Sequence, residues 1–321
     1  MHNHAALRLV LWSVVALLLV AILLFFLLGG AHRFKFLKNW TAGVISHTYP
    51  NGEKYTVGDT TLTEPVRDIR INWISGTVTI CVRDDITDIR LTETIDGTAP
   101  DAANDPDRQM HWLLDDHVLY IQYCASKVFT GSIHWGDKQL TVEIPAAYVT
   151  SLEHLSIDAV SAGVEGNGLS SLQELEIDSV SGSVQLQNIS SSRAKISTVS
   201  GEIRLHEVAF DTLDLDTTSG KAEISGCLGR VKLDTTSGAL RLTSRTPLHA
   251  LDADTVSGDI DLYLPEDTEG FTVNFDHVSG KFSCAFPMTS QKDTYIYGKG
   301  VALFAVDTVS GDVRIHALPA D

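Results

Sequence analysis

Closely spaced metal-binding or catalytic signatures are missing from this chain. Its four cysteines, Cys81, Cys124, Cys227 and Cys284, lie far apart, and none belongs to a Cys-x-x-Cys pair. Zinc sites take ligands about two to four residues apart, so this spacing argues against a metal centre. His111, His117, His134 and His154 fall loosely within one stretch, without a His-x-x-x-His or Glu-containing zinc motif, and read as surface residues. No Gly-x-Ser-x-Gly elbow occurs, and among 41 acidic residues no pair stands out for glycoside chemistry. The sequence therefore nominates no catalytic, cofactor-binding or metal residue, and a non-enzyme is expected. A Cys81–Cys124 bridge stays open for an oxidising compartment, while the position of Cys284 suits core packing.

Charge is scarce too. Only 20% of the 321 residues are charged against 44% hydrophobic, which excludes a disordered tail. Four of the 24 basic side chains lie in the first forty residues, which hold no acid. The remainder carries 20 basic against 41 acidic groups, a balance of −21. Phosphate backbones need the opposite sign, so nucleic acid is excluded as a partner.

Residues 9–28 contain no charge at all. Twenty apolar residues at ~1.5 Å each span a hydrocarbon core of about 30 Å. A transmembrane helix is expected there, after a short tail at 1–8 and before a connector at 29–65. Trp12, Phe34, Phe36 and Trp40 suit the interfaces. Small residues at 29–31 would suit a signal peptidase, but the apolar run exceeds the usual ~7–15 residues, so an uncleaved single-pass anchor is expected. Orientation signals oppose one another. Arg33, Lys35 and Lys38 against Arg8 favour a cytoplasmic domain, whereas long domains translocate largely regardless of such bias. The expectation is a membrane protein whose domain lies outside the cytoplasm.

Convincing helical periodicity is absent after residue 40. In its place is one phrase, repeated. Residues 213–242 hold it twice: alternating apolar residues, Asp-Thr-Thr-Ser-Gly, then alternation again. Counted by its serine, the phrase recurs at Ser161, Ser181, Ser200, Ser219, Ser237, Ser257, Ser279 and Ser310, in steps of 20, 19, 19, 18, 20, 22 and 31 residues. Ala162 replaces glycine in the first copy, and an outlying copy sits at Ser75. Apolar residues stand four and six before the serine (Leu233, Val231) and three and five after it (Leu240, Leu242). Period-two alternation on both sides of a break predicts two short strands per repeat, with Ser-Gly supplying the turn. One unit cannot bury its face alone, so repeats must stack at roughly 4.8 Å. The fold class is all-β: a β-solenoid of two-strand rungs over 66–318, irregular at 66–150 and regular at 151–318. Ile69–Ile80 is expected as an outlying hairpin, with further strands at 89–94, 117–123 and 140–145, and an exposed loop at 96–108. A leucine-rich-repeat reading of 169–177 fails because other copies lack the required Asn or Cys.

Asp stands three before nearly every serine: Asp158, Asp178, Asp216, Asp234, Asp254, Asp276 and Asp307, with Ser197 the exception. This ladder is expected to accept backbone hydrogen bonds in the turns, together with the following Thr, rather than to bind calcium.

The runs TVSGEIRL at 198–205, DTVSGDIDL at 254–262 and the ending YGKGVALFAVDTVSGDVRI resemble a bacterial β-strand-repeat family. That family comprises putative adhesins, a domain of unknown function akin to the toast-rack domains. The resemblance covers about residues 66–318, including LTVEIP. It implies a membrane-tethered, extracytoplasmic solenoid in a bacterial envelope, often Gram-positive. Relatives are linked to envelope-stress signalling, and no catalytic residues can be carried over. The leading expectation is an envelope scaffold or sensing partner with a protein partner. The alternatives are a surface adhesin and a carbohydrate-active β-helix enzyme.

Overall fold

The computed structural model describes residues 46–96, 105–129 and 137–318. The expected anchor at 9–28 and most of the expected loop at 96–108 lie outside the described residues. Among the described residues no helix is long and apolar enough to cross a membrane. The chain divides into two compact units. In the smaller one, Met1–Gly52 with Ser126–Ile133, Ser46–His47 pairs antiparallel with Val128–Phe129, and Ser126 Oγ accepts the Tyr49 N–H at 3.3 Å.

The larger unit, Glu53–Ala125 with His134–Asp321, is the rung stack. Each copy of the phrase places its two strands in two parallel ladders, called here the first and second sheet, which Ile203–Thr217 and Ala222–Thr235 join by running through both. In the first sheet the inward residues stack in parallel register, Ile177 on Ile196, Leu215, Leu233 and Ala253. In the second, Val184 stacks on Ile203, Ala222, Leu240 and Ile260. All of these are buried, and burying one such Leu or Ile side chain contributes about 1.5–3 kcal/mol.

The outlying copy forms the first rung. Asp68–Trp73 pairs with His154–Ala159, and Thr77–Arg83 pairs with Gly163–Asn167. The expected hairpin at 69–80 is corrected. Its halves are an arch, each bonded to the rung above rather than to its partner, since Ile69, Ile71, Val78 and Ile80 all point into one core. The expected strands are found as Ile89–Asp96, Val118–Gln122 and Asp137–Pro145. With His111–Asp115 they close this end of the stack. Inside the expected connector, Thr56–Val57 and Thr60–Leu62 add short antiparallel edges, too brief for any periodicity to show.

The opposite end is not in sequence order. Ala302–Thr308 lies between Ala250–Thr255 and Gly270–His277, so the Ser310 rung is inserted between the Ser257 and Ser279 rungs. The 31-residue step contains the detour that permits this, a hairpin of Thr289–Gln291 and Thr294–Gly298 that pairs with Gly270–His277. Phe271, Phe275, Phe282, Phe286, Tyr295, Tyr297 and Phe304 gather here, with neighbouring ring centroids 4.3–5.6 Å apart. Large rings fill the end of the core, where no further rung arrives to cover it.

Candidate functional site

The repeated turn is built by three residues with separate tasks. Thr235, buried, accepts the Gly238 N–H on its Oγ1 at 3.1 Å. The same bond closes the turns at Gly201, Gly220, Gly258 and Gly311 at 2.8–3.0 Å, with Ser179 doing so for Gly182. Ser237 donates both its N–H, at 3.0 Å, and its hydroxyl, at 3.4 Å, to the Thr218 carbonyl of the rung below. Gly238 has an ordinary backbone φ, outside the left-handed region, so conformational permissiveness is not its reason. A Cβ there would lie 2.0 Å from the Gly220 carbonyl oxygen. Rungs touch backbone to backbone at this column. Ala162 fits where the rung below turns differently, through Gly76 at φ 92°.

The threonines thus close the turns as expected, and the aspartates stand one residue before them on the strands. Asp158, Asp178, Ser197, Asp216, Asp234, Asp254, Asp307 and Asp276 stand in that spatial order on consecutive strands. At about 4.8 Å per strand the column runs some 34 Å. Asp254, Asp276 and Asp307 are exposed, Asp158, Asp216 and Asp234 half-buried, and Asp178 buried. Burial, and then the charges of Asp234, Asp252 and Asp307, raise the Asp254 carboxyl above its ordinary range. Directly opposed like charges destabilise a sheet. The adjacent column alternates instead, Glu176, Lys195, Asp214, Lys232, Asp252, and partly offsets this cost. Lys195 reaches Glu176 at 3.0 Å, and Lys232 bonds Asp234.

The second sheet differs. Its outer column reads Glu165, Gln185, Arg204, Glu223, Arg241, Asp261, Arg314. Opposite charges alternate there, and Arg314 is held by Asp259 at 3.1 Å and Asp312 at 3.0 Å. Only the first sheet concentrates one sign.

A groove of about 730 Å³ crosses several rungs at the side of the stack. Leu172, Phe210 and Leu228 form its floor, and Ser190, Ala209 and Cys227 stack in register along it. Asp211 is the single carboxylate among its lining residues, so the convergent acids of a glycoside-cleaving site are not assembled there.

The sequence-singled residues scatter. His154 Nδ1 meets Asp68 Oδ1 at 2.7 Å; burial alone would raise the Asp68 pKa, but His154 and Arg67 together lower it. His111, expected at the surface, is buried with Nδ1 2.9 Å from the Gln109 carbonyl, whereas His117 is exposed and His134 lies outside the described residues. None of the four cysteines is in a disulfide; Cys124 is buried, Cys227 exposed, and Cys81 and Cys284 half-buried. Burial pushes the Cys124 thiol up to about 12. Among the described residues no cluster of three His, Cys, Asp or Glu suits a metal ion.

One polar cluster escaped sequence reasoning. Lys138 is fully buried, with Nζ 2.6 Å from Glu93 Oε1 and 2.6 Å from the Arg108 carbonyl, and bonded to the Tyr123 carbonyl. The Tyr123 and Trp73 ring centroids lie 4.1 and 5.2 Å from it. Burial lowers the Lys138 pKa, which Glu93 opposes.

Comparisons with known proteins complete the picture. No curated protein sequence matches this chain significantly. Among solved structures it is similar to a putative lipid binding protein of Parabacteroides distasonis, at 15% identity and TM-score 0.48, covering 80% of this chain and 96% of that one. A putative adhesin of Bacteroides fragilis gives 13% and 0.45, covering 82% and 97%. A putative cell adhesion protein of Clostridium sporogenes gives 10% and 0.26, covering 82% and 100%. Residues 66–316, nearly the whole rung stack, match the family model described as Toastrack DUF4097, and the chain belongs to that family.

Proposed function

We propose that this protein is a non-enzymatic, membrane-anchored scaffold of the bacterial envelope, which docks a basic segment of a protein partner along its aspartate ladder. The observation that carries this reading is the difference between the two faces. The second sheet alternates its charges, whereas the first keeps like charges in register at a cost to its own stability. A cationic partner relieves that repulsion on binding and is steered toward it from solution. The uncharged run at 9–28 supports anchoring beside the membrane, and an extracytoplasmic domain with a role in envelope-stress sensing fits that placement. The groove supports a second reading, an adhesin that takes a small polar ligand over Ser190, Ala209 and Cys227.

Titration of a lysine-rich peptide tests the first reading. Binding is expected to weaken steeply as salt rises, and the triple variant Asp216→Asn, Asp234→Asn, Asp254→Asn is expected to lose at least about tenfold in affinity. Equal binding by the triple variant and the parent would sink it.

A further inference from the structure

The buried Lys138–Glu93 pair joins two adjacent strands, Ile89–Asp96 and Asp137–Pro145, inside the cap of the stack. Side-chain exposure is 0% for Lys138 and 5% for Glu93. Nζ lies 2.6 Å from Oε1, yet Oε1 has no partner in hydrogen-bonding geometry. The other carboxylate oxygen, Oε2, accepts the Met110 N–H at 2.9 Å. Tyr123 and Trp73 wall the amine, and Tyr123 is itself tied to Ser75 at 2.9 Å. An ion pair so deeply buried loses much of its Coulomb gain to desolvation. Proton transfer from ammonium to carboxylate gives a neutral amine beside a neutral acid, the pair of forms that can react.

We propose that Lys138 and Glu93 condense spontaneously into a side-chain amide that cross-links these strands. The Nζ lone pair attacks Glu93 Cδ, and the Met110 N–H steadies the negative charge that develops on Oε2. The new C–N bond forms as the bond from Cδ to Oε1 breaks. Oε1 departs as water with the proton it received and one from nitrogen. One N–H remains and keeps a backbone carbonyl as its acceptor. No electrons are transferred and no co-reactant is needed. Fixed proximity replaces activation of the acid. The product would close residues 93–138 into a covalent loop, bracing the cap where antiparallel strands meet the parallel rungs.

Mass spectrometry of the detergent-solubilised full chain tests this. The parent is expected to be lighter than its sequence mass, counted from its observed N-terminus, by one water. Proteolysis should release a branched peptide joining Glu93 to Lys138, and Lys138→Arg should show full mass. A parent chain at full mass that still melts cooperatively would overturn the proposal, as would a water loss mapping to any other residue.

Discussion

A methyl group at Gly238 would point at the Gly220 carbonyl, 2.0 Å away, so Gly238→Ala must push two rungs apart. Such overpacking costs about 1–3 kcal/mol, whereas Ala239→Val at the exposed neighbouring position should be silent within about 0.5 kcal/mol. Thr235→Val keeps the shape but strips the buried Gly238 N–H of its acceptor, at about 1–3 kcal/mol. Thermal melts of the three variants check this, and equal losses at 238 and 239 would refute the stacking argument. Asp254 carries a sign that can be worked out. Its carboxyl is raised, so the folded chain holds that proton more tightly than the unfolded chain does. Ionised Asp254 therefore destabilises at neutral pH, and the penalty fades as pH falls through the folded value toward the ordinary ~3.9. Asp254→Asn should gain a few tenths to about 1 kcal/mol at pH 7, less in added salt, and progressively less on acidification. A melt series over pH with no such gain at neutrality would contradict a repulsive ladder.

Strands were legible where their residues alternate. Leu233, Leu240 and Leu242 announce both halves of a rung and their inward faces, because period two is a property of one strand alone. The reason for the glycine was not legible, since it lies in the carbonyl of another rung. Nor was the division of labour between Thr235 and Asp234, adjacent residues with opposite destinations, core and surface. Rung order escaped too: every copy of the phrase offers the same pairing edge, so nothing local forbids the Ser310 rung from entering before Ser279. The aromatic cluster that closes this end should be its main support. Phe271, 1% exposed, touches Phe286, Tyr297 and Phe304, and Phe271→Ala should cost about 3–5 kcal/mol. Because each rung leans only on its neighbours, hydrogen exchange in that variant should quicken first in residues 270–318 and least around Ile71 and Ile157. Uniform quickening would argue against a rung-by-rung stack.

For the whole molecule, two sheets built from one repeated phrase present unlike outer faces. One alternates its charges along its length, and the other carries a column of like charges, about 34 Å long, that its lysine neighbours only partly offset. Composition already excluded nucleic acid, but only the register shows that the excess acid is gathered on one face. The Lys138–Glu93 pair was invisible for a related reason: its members are far apart in sequence and share no periodic signal. The claim most open to direct trial is that a protein partner lies along the aspartate face in the cell. A photo-activatable amino acid placed at Asp252, beside the ladder, and in separate cells at Arg241 on the opposite sheet, reports which face is occupied. Illumination of intact cells should give a discrete crosslinked protein from position 252 and little from 241. Equal crosslinking from both faces, or a partner captured only at 241, would contradict the docking role assigned to the ladder.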